Sequence, residues 1–149
     1  MSTRPDFVIR NIHQQLTESA LVYKVLAEKA DEQGLKNLFE EMSASRAPMI
    51  SVLAHEVESH GKEMPLPGTV GGIVDRIWLR VRDPLSHPDG TRILDECERA
   101  EVRLLEHYDE ALTGEDVLMH LKKVLEQQRA LVASNIATLQ HAGAVRSRH

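Results

Sequence analysis

Four polar or charged residues lie near the midpoints of the four helices predicted below, where a helical bundle should be apolar. They are Glu18, Arg46, Glu101 and Gln128. In an antiparallel or crossed bundle the helix midpoints lie at one level, so these side chains are expected to form a single buried polar layer. Such a layer can hold a metal, or it can contain a salt bridge that fixes the register of the helices.

Di-iron bundles use a Glu from each of two helices and a Glu-x-x-His pair from each of the other two. None of the eight histidines of this chain has Glu or Asp three residues before it. Arg46 is expected at the same level as Glu18 and Glu101, where its guanidinium would repel a cation and fit a carboxylate. The pattern therefore favours an Arg46–Glu101 or Arg46–Glu18 salt bridge, with Gln128 satisfying the remaining hydrogen bonds.

The alternative is a site for iron or another divalent metal. Its ligands would be Glu18 and Glu101, together with Glu56 and His60, which share a helix face at i, i+4. Two-ligand pairs of this kind arise readily and more often form surface ion pairs. The leading expectation is therefore that the protein has no cofactor.

Cys97 is the single cysteine, so no internal disulfide can form and a reducing compartment is expected. It falls on the apolar stripe of its helix, where a buried and inert thiol is the usual outcome. Its acidic neighbours Glu96 and Glu98 would raise the pKa of the thiol. Nucleophilic catalysis is therefore not expected, and no residue is assigned a catalytic role.

Apolar residues recur every three or four positions in four segments, which predicts four amphipathic helices. Their bounds are about 5–30, 31–60, 90–113 and 115–142, and residues 143–149 are expected to form a frayed tail. Pro48 should kink the second helix or break it in two. Apolar residues make up 42% of the chain but aromatic residues only 3%, which also favours helices over strands. The prediction is one all-α domain over residues 1–149, a four-helix bundle.

The connection between the second and third helices is rich in Pro and Gly, but one part of it is amphipathic and predicts a short helix over about residues 70–82. This helix could pack across the bundle and shield its core. Alternatively Ile77, Trp78 and Val81 could form an interface, most simply between two copies of the chain. The connection is long enough to travel the length of the bundle, which permits a crossover of the ferritin type.

Two stretches resemble a family of small bacterial proteins that are largely uncharacterised: GTVGGIVDRIW from Gly68 to Trp78, and ILDECERAE from Ile93 to Glu101. The likeness extends more weakly from about Ile9 to His141. It implies a ferritin-like four-helix bundle and a role in stress physiology, without an established reaction.

The function predicted from these features is non-enzymatic. The protein should be a cytoplasmic helical bundle that acts through self-association, with a dimer favoured, or through a protein partner. The net charge of −5 does not favour nucleic acid, and no segment approaches the ~20 apolar residues of a membrane span. A metal-binding bundle with oxidase or metal-storage activity is the alternative.

Overall fold

Four helices form the bundle in the part of the chain that the structure describes. A computed structural model describes residues 4–59, Leu79, 90–114 and 119–147. The helices are α1 (Arg4–Lys29), α2 (Gln33–Glu58), α3 (Thr91–Thr113) and α4 (Met119–Ser147). This arrangement confirms the all-α four-helix prediction. The short helix predicted over about residues 70–82 lies outside the described residues except for Leu79, which is helical and exposed.

Helix α2 runs without a break through Pro48. Proline has no N–H, so the carbonyl of Ala44 lacks its usual donor four residues on. Ala44 and Pro48 are both exposed, so water can satisfy that carbonyl and the helix can continue. The competing prediction of two separate helices was wrong.

Helix α4 extends further than the sequence indicated. It continues to Ser147 instead of ending near residue 142, so residues 143–147 are helical where a frayed tail was expected. Arg146 accounts for the extension, because its Nε and Nη2 donate to the two carboxylate oxygens of Glu32 at 3.0 and 2.8 Å. This bidentate pair ties the end of α4 to the turn between α1 and α2.

The predicted apolar stripes form the core, which is divided into two clusters. The first joins the end of α1 to the beginnings of α2 and α3 and the end of α4, and its largest members include Tyr23, Phe39 and Ile93. The second joins the beginning of α1 to the ends of α2 and α3 and to the first half of α4, with Ile12, Leu53 and Tyr108 among its members.

The composition of these clusters fixes the direction of each helix. Helices α1 and α4 run one way, and α2 and α3 run the other. Since α2 ends at one end of the bundle and α3 begins at the other, the chain between Ser59 and Gly90 must connect opposite ends. Helix α1 packs on α2 and α3, and α4 packs on the same two helices, so α2 and α3 lie diagonally opposite each other.

Gly90 precedes the first residue of α3 and has a backbone conformation that suits glycine. Its φ is +71°, in the left-handed region that a Cβ disfavours. A Cβ at this position would lie 2.5 Å from Cδ1 of Leu35, the first buried residue of α2. The N-cap residue is Gly90, which has no side chain to contribute.

We expect Gly90→Ala to lower the free energy of unfolding by about 1–2 kcal/mol, through the left-handed backbone and the contact with Leu35. Gly143→Ala is the matched control. Gly143 lies within α4 with open space where its Cβ would be, so the gain in helix propensity should leave stability unchanged or raise it by up to about 1 kcal/mol. Urea denaturation of both variants tests this. Equal free energies of unfolding for the two variants would contradict the left-handed backbone of Gly90 and its close contact with Leu35.

Candidate functional site

A buried ion pair lies at the centre of the bundle. Arg46 on α2 donates from Nη2 to Oε1 of Glu101 on α3. The two side chains are 0% and 1% exposed, and they belong to diagonally opposite helices. The contact therefore crosses the middle of the bundle, between the two apolar clusters. Of the two salt bridges that the sequence left open, Arg46 makes the one to Glu101.

The guanidinium of Arg46 is held by an aromatic stack as well as by the carboxylate. Its Cζ lies 5.7 Å from the centroid of the Tyr23 ring. The Tyr23 ring in turn stacks on Phe39, with centroids 6.2 Å apart and an interplanar angle of 17°. Nε and Nη1 of Arg46 find no hydrogen-bond partner among the described residues, so the ring face offsets part of their desolvation.

A second polar contact lies about two helical turns away and includes Gln128. Its Oε1 accepts a hydrogen bond from the Tyr108 hydroxyl at 2.7 Å. Its Nε2 donates to the main-chain carbonyl of Met49 at 2.9 Å. Gln128 thus joins α4 to α3 and α2 inside the second cluster, and it does not belong to the layer of Arg46.

On α4 the residue at the level of the ion pair is Asn135. It hydrogen-bonds to Glu101 and follows Gln128 by seven residues, just as Tyr108 follows Glu101 by seven on the antiparallel helix. The sequence had placed Gln128 in this layer because it lies near the middle of α4. A turn at residue 114, between the two predicted helices, would also have placed Gln128 opposite Glu101, so nothing in the sequence selected Asn135.

Glu18, the proposed α1 member of the layer, lies at its margin. It is half-buried and makes no ion pair or hydrogen bond among the described residues. Together with Glu101 it lines a cleft of about 160 Å³ between α1 and α3. The α1 residue that contacts the ion pair is Tyr23, whose hydroxyl hydrogen-bonds to Glu101. The sequence did not single out Tyr23, because its spacing is that of an apolar core residue.

Burial controls the proton affinities at the centre. Loss of water raises the pKa of Glu101 above its usual value, although Arg46 and hydrogen bonds from Tyr23 and Asn135 lower it. Burial first, and then Glu101, raise the pKa of Tyr23 well above its ordinary range. Tyr23 therefore keeps its proton at neutral pH and can act as a donor to the carboxylate.

Cys97 is buried on α3, one turn before Glu101. Burial raises the pKa of its thiol far above the ordinary value, and Glu101 and Glu96 raise it further. A thiol with this environment is not a thiolate at neutral pH, and only a thiolate is an effective nucleophile. This chemistry matches the inert role expected from its position on the stripe.

The residues of the alternative metal set are distributed along the bundle. Glu56 follows Arg46 by ten residues on α2, so it lies about 15 Å along the helix axis from the layer. His60 lies outside the described residues. Within the described ranges, no group of three or more His, Cys, Asp or Glu side chains comes together in a way that could hold a metal ion.

Residues 8–114 match the family described as "Domain of unknown function (DUF2383)". The match covers more than half of the chain, so the protein belongs to this family. It includes most of α1 and all of α2 and α3, and therefore both partners of the central ion pair. No curated protein and no solved structure is detectably similar to the chain.

Arg46→Met should make stability depend more steeply on pH. Without the guanidinium, the pKa of the buried Glu101 rises further above its unfolded value. A raised pKa gives stability that is fully present below the unfolded pKa, about 4.5, and that is lost as pH rises through the folded pKa. The free energy of unfolding of the variant should be slightly below that of the parent at pH 5, and about 3–5 kcal/mol below it at pH 8.

Urea denaturation between pH 5 and 8 measures this difference. Arg129→Met is the matched control, because it removes an arginine paired with Asp109 at the surface of the bundle, where an ion pair contributes little. Its effect should be small at every pH. If Arg46→Met lowers the free energy of unfolding as little as the control does, or by an amount that does not grow with pH, then Arg46 does not offset the buried charge of Glu101.

Proposed function

We propose that the protein is a non-enzymatic, ferritin-like bundle that acts by self-association, as a dimer in the bacterial cytoplasm. The helix directions, with two antiparallel hairpins joined by a long connection, support the ferritin-like assignment. The bacterial origin and a part in stress physiology are supported by the family resemblance alone. The single cysteine supports a reducing compartment. None of the four described helices combines the length and apolar character that crossing a membrane requires.

Self-association is supported by an uncharged face formed by α2 and α4. The sixteen residues from Ala130 to Val145 contain no Asp, Glu, Lys or Arg. Between Met42 and His55 on α2 the only such residue is Arg46, which is buried. Helices α2 and α4 are antiparallel and Arg46 is level with Asn135, so the two stretches lie side by side over roughly eight residues. Charged residues make up 28% of the chain, so a region of two adjacent helices without exposed charge is a distinct feature of the surface.

The exposed flank between these helices is lined by small and apolar side chains. On α2, this flank lies on the side of the helix away from Ser43, whose hydroxyl donates to the carbonyl of Ala20 on α1. On α4, it lies on the side away from Arg129, which pairs with Asp109 on α3. The largest apolar side chains here are Val52 and Leu131, which are 45% and 52% exposed. The other exposed residues of this flank are Ser45, Pro48, Ser134 and Thr138.

The charge of the chain indicates what covers this face. Two copies that each carry a net charge of −5 repel each other, so their contact is least unfavourable where the surface is neutral. Eight helical residues span about 12 Å, and two packed helices are about 18 Å wide. The uncharged part of the face thus amounts to roughly 220 Å² per copy, well below the size of a stable interface, so the contact should be a weak, reversible one.

Sedimentation velocity over a range of concentrations tests this dimer. The parent should show a concentration-dependent shift toward a dimer, and Leu131→Glu should remain monomeric because each interface would bury two uncompensated charges. Val102→Glu is the matched control, since Val102 is an exposed valine on α3, away from this face. A Leu131→Glu variant that sediments like the parent would rule out this face.

The candidate interface of Ile77, Trp78 and Val81 lies outside the described residues, and it is the rival site for the same activity. Trp78→Asp separates the two within the same experiment. We expect it to leave the dimer intact. If Trp78→Asp dissociates the dimer and Leu131→Glu does not, the connection between α2 and α3 forms the interface.

We also propose that the bundle works without a metal cofactor. The support is Arg46, whose positive charge lies at the level where a di-iron bundle places its cations. After incubation with ferrous iron, manganese or zinc and dialysis, elemental analysis should find well below one equivalent of metal. Stoichiometric metal that is lost in a Glu101→Ala variant would establish the alternative, a metal-binding bundle with oxidase or storage activity.

A further inference from the structure

Among the four described helices, α1 differs from the others in the exposure of its outer side. On α2, α3 and α4 the residues that point away from the core are exposed, for example Ser51, Glu106 and Ala137. On α1 no residue between Asn11 and Tyr23 is exposed, although this range completes more than three helical turns and must present every side of the helix. The outer side of α1 is therefore covered.

The side of α1 that is covered faces away from the bundle. Gln14, Glu18 and Leu21 follow one another at spacings of four and three residues, so they share one side of the helix. That side is opposite the one that carries the core residues Leu16 and Tyr23. Gln14, Glu18 and Leu21 are all half-buried, yet α2 and α3, the helices that pack on α1, lie on its inner side.

The burial of these side chains arises within one copy of the chain, so the cover belongs to the same chain. It lies outside the described residues, because the described helices are on the inner side of α1. Residues 1–3, 115–118 and 148–149 are too few to run along more than three turns. The connection between α2 and α3 is the segment that is long enough.

The path of this connection leads to the same helix. Since α2 and α3 are diagonal and the connection joins opposite ends of the bundle, it must pass over either α1 or α4. The outer residues of α4, such as Glu126, Ala130 and Ala137, are exposed, which favours a path over α1. Helix α1 has 26 residues and is about 39 Å long, a distance that fewer than half of residues 60–89 would span if extended at ~3.3 Å each.

One described residue of the connection shows which side of it faces the solvent. Leu79 is helical and 62% exposed. On a helix, Ile77 lies two residues before Leu79 and Val81 two residues after it, so both point to the opposite side. The apolar side of this segment consists of Ile73, Val74, Ile77, Trp78 and Val81, and an exposed Leu79 leaves that side to face the protein.

We propose that residues 73–81 pack along the outer side of α1 in the same chain. Trp78 comes shortly after the middle of the connection and Leu21 shortly after the middle of α1, so the two lie at one level. The burial of both apolar side chains stabilises the contact. It goes beyond the proposed self-association and does not depend on it, because α1 is diagonally opposite α4 and its outer side points away from the α2–α4 face.

Trp78 is the single tryptophan of the chain, so tryptophan fluorescence reports on this contact directly. The parent should emit as a shielded indole. Leu21→Asp should shift the emission to the red and make acrylamide quenching steeper, because a carboxylate cannot remain under an apolar segment. Val102→Asp, at an exposed valine on α3, is the matched control and should leave both unchanged. A solvent-exposed indole in the parent, or a Leu21→Asp spectrum like that of the parent, would overturn the proposal.

Cross-linking identifies the occupant even if Leu21→Asp loosens the fold. Leu21→Cys combined with Ile77→Cys is treated with a short bismaleimide, while the buried Cys97 stays in place. We expect a cross-link within one chain, which mass spectrometry detects in the monomer. Val102→Cys combined with Ile77→Cys is the control and should give little. A covalent dimer from the first pair would mean that a second copy covers α1, and equal yields from both pairs would mean that the connection does not favour α1. Either result contradicts the proposal.

Discussion

The interaction on which the architecture depends is the ion pair between Arg46 and Glu101. Helices α2 and α3 belong to different hairpins and are diagonal in the bundle, so this pair links the two hairpins directly across the centre. A shift of one hairpin by a single turn would leave a buried guanidinium and a buried carboxylate without each other, at a cost of several kcal/mol. Apolar contacts on either side tolerate such a shift far better, so the pair specifies the axial register.

The centre of the bundle departs from an apolar core in a way that has chemical consequences. Two N–H groups of Arg46 lack acceptors among the described residues, and the pKa of Glu101 is raised by burial despite its partner. Both observations indicate that desolvation consumes much of the attraction between the charges. The pair therefore contributes more to the uniqueness of the structure than to its stability, and it places a positive charge at the level where a metal bundle would need negative ligands.

The fold was largely predictable because helix stripes are a local property. Ile12, Phe39 and Leu104 all lie on predicted stripes, and all are buried in the structure. The site was less predictable because it depends on which residues face one another. Helix midpoints predicted Gln128 at the level of Glu101, where the structure has Asn135. The register of the α3–α4 hairpin depends on its turn and not on the midpoints of its helices. The end of α4 was missed for a similar reason, since Arg146 is stabilised by Glu32, a residue distant in sequence.

A double-mutant cycle tests the central claim most directly. Arg46→Met, Glu101→Leu and the double variant would be compared with the parent by urea denaturation at pH 7. Each single change should cost about 3–5 kcal/mol, since it leaves one buried charge alone, whereas the double variant should lie within about 1 kcal/mol of the parent or above it. Additive losses, with the double variant near the sum of the singles, would show that the two charges are not coupled at the centre of the bundle.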